Sequence, residues 1–134
     1  MNLIILGGNA PHNQQWIQEI AETVGQLFDK VLVWEYEHWH GGQPFIDFTH
    51  EQQQLQPLAK SYEPYVVIAK SVGVLLTSKG LGGKTQPAAH GYIFLGTPLK
   101  LVQREHWPLG EQLRRLKGVD IIFVQNSNDP AGSA

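Results

Sequence analysis

The stretch Tyr65-Val66-Val67-Ile68-Ala69-Lys70-Ser71-Val72-Gly73 decides how the rest of the chain is read. Tyr65 to Ala69 is a short continuous apolar run, β-branched at three successive positions. That is the pattern of a strand buried on both faces. A helix-like stretch begins near Val72 and continues to Ser78, so Ser71 stands on a sharp turn between strand and helix. Such a turn strains the backbone of its central residue, and it needs small side chains two positions before and two after. Ala69 and Gly73 supply them. A serine in this place also has a plainer role, capping the following helix with its hydroxyl.

Working outward, short apolar runs alternate with amphipathic stretches, and no internal repeat is visible. Leu3 to Leu6 reads as a buried strand, followed by the loop Gly7-Gly8-Asn9-Ala10-Pro11-His12. A helix is predicted from about Asn13 to Phe28, with Trp16, Ile17, Ile20, Val24, Leu27 and Phe28 along one stripe. Val31 to Trp34 is a second strand, and Glu35 to Phe48 a long aromatic, irregular segment. A helix over Thr49 to Ser61 carries an interruption signal at Pro57. Beyond the quoted stretch come a loop from Gly80 to Ala89 and a strand from Tyr92 to Leu95. A helix from Leu109 to Leu116 and a strand from Ile121 to Val124 complete the pattern. Strands alternating with helices predict a three-layer α/β/α sandwich around a mostly parallel five-stranded sheet.

With 134 residues the chain makes a single domain, 1–134, large enough for one core. Hydrophobic residues are 42% and charged residues 16% of the sequence, a packed globular composition. The net charge of −2 comes without a run of like charge, which argues against nucleic-acid and anionic-membrane partners. The absence of cysteine excludes a disulfide scaffold, a thiolate zinc site and a cysteine nucleophile. The first apolar run is too short for a signal-peptide core, and no segment approaches the roughly 18 apolar residues of a membrane span. A cytoplasmic protein is the expectation.

A serine hydroxyl is a weak nucleophile until a base takes its proton, and that base needs an acid to orient it. Asp129, in Asn126-Ser127-Asn128-Asp129-Pro130, follows the fifth strand at the same edge of the sheet as Ser71. Asp-Pro is also an ordinary turn starter. Backbone N–H groups of Val72 and of Asn9 or Gly8 could together receive a developing oxyanion, since glycines let a backbone approach closely. The Gly7 loop lacks the Gly-x-Gly-x-x-Gly spacing of a dinucleotide site.

The Gly7-Gly8-Asn9 loop, the Ser71 turn, Gly96-Thr97-Pro98 and Asp129 together resemble the α/β-hydrolase superfamily, and within it the small serine hydrolases without a cap domain. The resemblance spans nearly the whole chain and is carried by the order and spacing of short elements. Its Ser-x-Gly turn departs from the usual Gly-x-Ser-x-Gly at the first glycine, where Ala69 stands. It implies a strand order of 2-1-3-4-5 and hydrolysis of an ester, thioester or amide through an acyl-serine intermediate. The substrate would be a small acylated molecule, and no cofactor is implied.

In that family a further strand and a histidine loop follow the acid, whereas here the sequence stops at Ala134. The domain therefore reads as truncated at its C-terminus, with the base absent and the chain inactive as it stands. Right-handed crossovers would then leave an apolar sheet face over strands three to five and an unprotected fifth strand. A homodimer through that face or edge is the matching partner expectation. Of the six histidines, His12 and His106 are the best internal substitutes for the base, the loop histidines otherwise being expected to lie exposed. Glu35, Glu37, His38 and His40 form no convincing ligand set, and no metal is expected. Gly82-Gly83-Lys84-Thr85 resembles the end of a phosphate loop, yet Ser78 stands where the first glycine is needed. Trp34, Tyr36, Trp39 and Phe45 line either an acyl pocket or a satellite core. The alternative to an enzyme is a non-catalytic α/β binding or scaffold protein on the same core.

Overall fold

The computed structural model describes residues 1–81, 89–116 and 118–126. Five parallel strands form one sheet in the order β2-β1-β3-β4-β5: β1 (Asn2–Leu6), β2 (Val31–Trp34), β3 (Tyr65–Lys70), β4 (Ala89–Leu95) and β5 (Asp120–Val124). Among the described residues, six α-helices accompany them: α1 (Asn13–Val24), α2 (His38–Gly41), α3 (Phe48–Ser61), α4 (Val72–Gly80), α5 (Leu99–Arg104) and α6 (Leu109–Arg114). Among the described residues no helix is long and apolar enough to cross a membrane.

Register explains the layering. Leu3, Val66 and Val31 share one face, as do Ile5, Ile68 and Val33, and α1 packs there over β1 and β2. Ile4, Leu6, Val67, Ala69, Tyr92 and Phe94 point the other way, where α4 lies on β3 between α3 and α6. This is the three-layer arrangement that right-handed crossovers impose on such a strand order. All of β1 is buried because both layers cover it. Asn2 closes the amino edge, its Nδ2 donating to Tyr62 O at 2.8 Å and its Oδ1 accepting Lys30 N–H at 3.0 Å.

Several boundaries differ from those the sequence predicts, each for a local reason. α1 ends at Val24 and continues as a 3₁₀ turn over Gly25–Leu27, leaving Leu27 exposed, because the chain must turn to enter β2. α3 runs straight through Pro57: both Pro57 and Gln53, the carbonyl it leaves unbonded, face solvent. The segment expected to be irregular contains α2, and α5 follows Pro98 where no helix was expected.

The sheet is covered unevenly. Ile122, Phe123 and Val124 are 57%, 51% and 52% exposed, and Ile93 and Leu95 beside them are only partly buried. Ile93, Leu95, Ile122 and Val124 share the α1 face, beyond the strands that α1 covers. Among the described residues, the face expected to lie open over strands three to five is open over β4 and β5 only, since Ile68 on β3 is buried. On the opposite face Phe94 is fully buried, its ring tilted against Tyr92 at 5.5 Å and edge-on to Phe123 at 5.6 Å. Phe94→Ala should cost about 3–5 kcal/mol, read as a lower denaturant midpoint with the transition slope unchanged.

Candidate functional site

β3 ends at Lys70 and α4 begins at Val72, so one residue makes the whole turn. Ser71 adopts φ 53° and ψ −119°. A non-glycine residue in such a region stores on the order of 1–3 kcal/mol and persists only where its surroundings enforce it. Two hydrogen bonds do so here: Ser71 N–H donates to Leu95 O at 2.9 Å, and its carbonyl accepts Val74 N–H at 2.9 Å. The hydroxyl makes no capping bond to α4, so the plain helix-cap role is not what this serine does. Half-buried, and with no hydrogen-bond partner among the described residues, it stands at the carboxyl edge of the central strand.

The flanking small residues have the expected reason. Ala69 is fully buried, in register with Leu6 on one side and Phe94 on the other. A Cβ on Gly73 would lie 2.9 Å from both Gly7 O and Leu6 O and 3.0 Å from Leu6 Cβ. The first turn of α4 thus presses on the end of β1, which brings Val72 beside the Gly7-Gly8-Asn9 loop. Gly7 and Gly8 are themselves wedged against α1: a Cβ on either would come within 3.0 Å of Ile17 or Asn13 side-chain atoms. Tyr36 anchors this loop by donating its hydroxyl to Gly7 O at 2.7 Å. Burial, and secondarily the Glu51 carboxylate, push the Tyr36 phenol well above its ordinary range, so it stays a donor.

Asn9 is held by four hydrogen bonds to the segment after β2. Its Nδ2 donates to Pro44 O and its Oδ1 accepts Ile46 N–H, both at 2.9 Å. Its backbone carbonyl accepts His38 Nε2–H at 2.8 Å and Trp39 Nε1–H at 2.9 Å. The backbone N–H groups of Gly8, Asn9 and Val72 donate to no acceptor among the described residues.

The expected acid and bases are placed less favourably. Asp129 lies outside the described residues, as does the Gly82-Gly83-Lys84-Thr85 segment. His12 is exposed at the N-cap of α1, and His106 is exposed with φ 50°. Neither hydrogen-bonds Ser71, and no other described histidine does. The expectation of exposed loop histidines fails for His38, which is 6% exposed in α2 and packs against Tyr36 and Trp39. Tyr36 and Trp39 likewise belong to the main core rather than to a satellite cluster or an open acyl pocket. Glu35 pairs with His40 at 3.9 Å and Glu37 with His50. Among the described residues no three such side chains converge to hold a metal ion.

Two concavities escaped the sequence-based expectation. Phe45, Ile46, Phe48, Leu101 and Trp107, together with Arg104 and Glu105, line a largely apolar groove of about 510 Å³, in which the Phe48 and Trp107 rings meet at 4.8 Å. Phe48 opens α3 and Trp107 precedes α6, the two helices that flank α4, so the contact links the amino-terminal ends of those two helices. The aromatic spacing alone could not show this, because the partners are far apart in sequence. A polar cleft of about 310 Å³ lies within residues 37–51. No protein-family model, curated protein or solved structure matches this chain.

Gly73→Ala forces a methyl onto two backbone oxygens that cannot retreat. It should destabilise the fold by about 1–3 kcal/mol, measured by chemical denaturation, and shift the Ser71 and Gly7 amide resonances together.

Proposed function

We propose that this chain carries the nucleophile and oxyanion site of a small α/β-hydrolase-like serine hydrolase acting on an ester, thioester or amide. The observation that supports it most is the strained backbone of Ser71 (φ 53°, ψ −119°) together with a hydroxyl that caps nothing. Strain kept at a turn where the side chain does no structural work points to use of that side chain.

In this reading Ser71 Oγ attacks the substrate carbonyl carbon while a base takes its proton, and the carbonyl oxygen becomes an oxyanion. Val72 N–H and the N–H of Asn9 or Gly8 receive that charge; such preorganised donors are each worth on the order of 10²–10³ in rate. Collapse of the adduct expels the alcohol, thiol or amine and leaves acyl-Ser71. Water attacks the acyl group in a second step, releases the acid and restores the hydroxyl. Asp129 is the acid that orients the base. With no described histidine bonded to Ser71, the serine keeps its proton most of the time, and esterase turnover by the 134 residues alone should be weak or absent. A fluorophosphonate probe should label the protein covalently, if slowly, and Ser71→Ala should abolish the label. Labelling that survives the substitution, or none in either protein, removes the hydrolase reading.

A second reading is supported by β5. Its three consecutive exposed apolar residues carry no lysine or proline to guard the edge, as edge strands commonly do. A non-catalytic scaffold that dimerises through this face or edge would use them. Ile122→Lys should then convert a concentration-dependent dimer into a monomer in sedimentation equilibrium, whereas a monomer at all concentrations removes the scaffold reading.

A further inference from the structure

The groove lined by Phe45, Ile46, Phe48, Leu101 and Trp107 is built from two stretches of chain, one leaving β2 and the other leaving β4. In the sheet, β1 and β3 lie between those two strands. β1 runs into the Gly7-Gly8-Asn9 loop and β3 into Ser71. The groove thus joins segments from either side of the two strand ends that carry the proposed nucleophile and oxyanion donors. From β1 the chain moves outward to β2 and then to β3 on the other side, which makes this the topological switch point of the sheet. Open parallel sheets bind ligands outside the carboxyl ends of their strands at such a point.

Hydrogen bonds tie both walls to the serine edge. Ile46 N–H donates to Asn9 Oδ1 at 2.9 Å, which fixes one wall directly to the oxyanion loop. On the other side Leu95 O, at the end of β4, accepts Ser71 N–H at 2.9 Å. Leu99 N–H then donates to Thr97 O at 2.9 Å as the chain turns into α5, and Leu101 follows in the first turn of that helix.

The lining decides what fits. Trp107 Nε1–H is already taken by Gln112 Oε1 at 2.6 Å. The two charged members, Arg104 and Glu105, pair with each other at 3.1 Å and are 70% and 56% exposed, so they add no net charge and stay at the rim. Aromatic and aliphatic surface remains. Covering such surface with hydrocarbon is favourable, whereas a charged group would lose hydration there without gaining a partner. At about 510 Å³ the groove has the size of an ordinary ligand site.

We propose that this groove receives a medium-length, uncharged hydrocarbon chain of the substrate. The proposal rests on the serine hydrolase reading and narrows it, from any ester, thioester or amide to one that carries such a chain.

Two probes with the same reacting group test it, ethyl octylphosphonofluoridate and ethyl methylphosphonofluoridate. With each, Ser71 Oγ attacks phosphorus, fluoride leaves and the hydroxyl proton passes to water; intact-protein mass spectrometry follows the labelling rate. After correction for each probe's hydrolysis in buffer, the octyl probe should label Ser71 at least about tenfold faster, a small part of what full burial of its extra methylenes would give. Phe45→Ala alters a residue that is 45% exposed, so the fold is kept, and Leu101→Trp fills the groove. Each should lower the ratio of the two rates about threefold or more. Equal rates for the two probes, or a ratio unchanged in both variants, overturns the proposal while the hydrolase reading stands. No Ser71 labelling by either probe removes the hydrolase reading and this proposal with it.

Discussion

The contact on which the rest depends is the seating of the first turn of α4 on the end of β1. Gly73 has no room for a side chain, because the carbonyl oxygens of Leu6 and Gly7 stand where one would go. That closeness leaves a single residue, Ser71, to reverse the chain from strand to helix, and only a positive φ accomplishes it. The strain is local, but its support is distributed: Leu95 O on β4 holds the Ser71 amide, and Ala69 fits between β1 and β4. A larger residue at 69 or 73 would separate the strands or lift the helix, and the turn would relax.

The same seating sets the polar structure on the other side of β1. Gly7, pressed by α4 from one direction and α1 from another, offers its carbonyl to the buried Tyr36 hydroxyl. Asn9 then ties the loop to residues 38–46 through both its side chain and its carbonyl. Glu51 performs a comparable task from α3, accepting the Trp34 indole and the Glu37 amide. A buried carboxylate is tolerated when its oxygens have donors, and these two bonds hold the end of β2 to α3. The segment after β2 is thus bound to the serine edge by named polar contacts and does not merely cover it.

How much of this was legible depends on whether the signal is local. The strands were readable because a parallel sheet packed between helices favours continuous apolar runs, and Leu3–Leu6 or Tyr65–Ala69 can serve as little else. Ala69 and Gly73 were readable because a turn of this kind excludes side chains at fixed offsets. α5 was not, since Leu99–Arg104 has too few residues to show a period. His38 was expected to be exposed because its segment reads as an irregular loop after the second strand. Its burial comes from Tyr36 and Trp39, packed around it, and from Asn9, nearly thirty residues away in sequence.

By itself, then, the sequence determined the layered parallel architecture and the position of the strand-to-helix turn at Ser71, because both are imposed by side-chain size and apolar periodicity over short spans. Only the tertiary structure decided that the Ser71 hydroxyl caps nothing and that Asn9 is clamped by residues 38–46. It also decided that Phe48 meets Trp107 and that the polar cleft closes around Glu37 and Glu51. Each of these depends on distance between residues remote in the chain, and packing alone determines that distance.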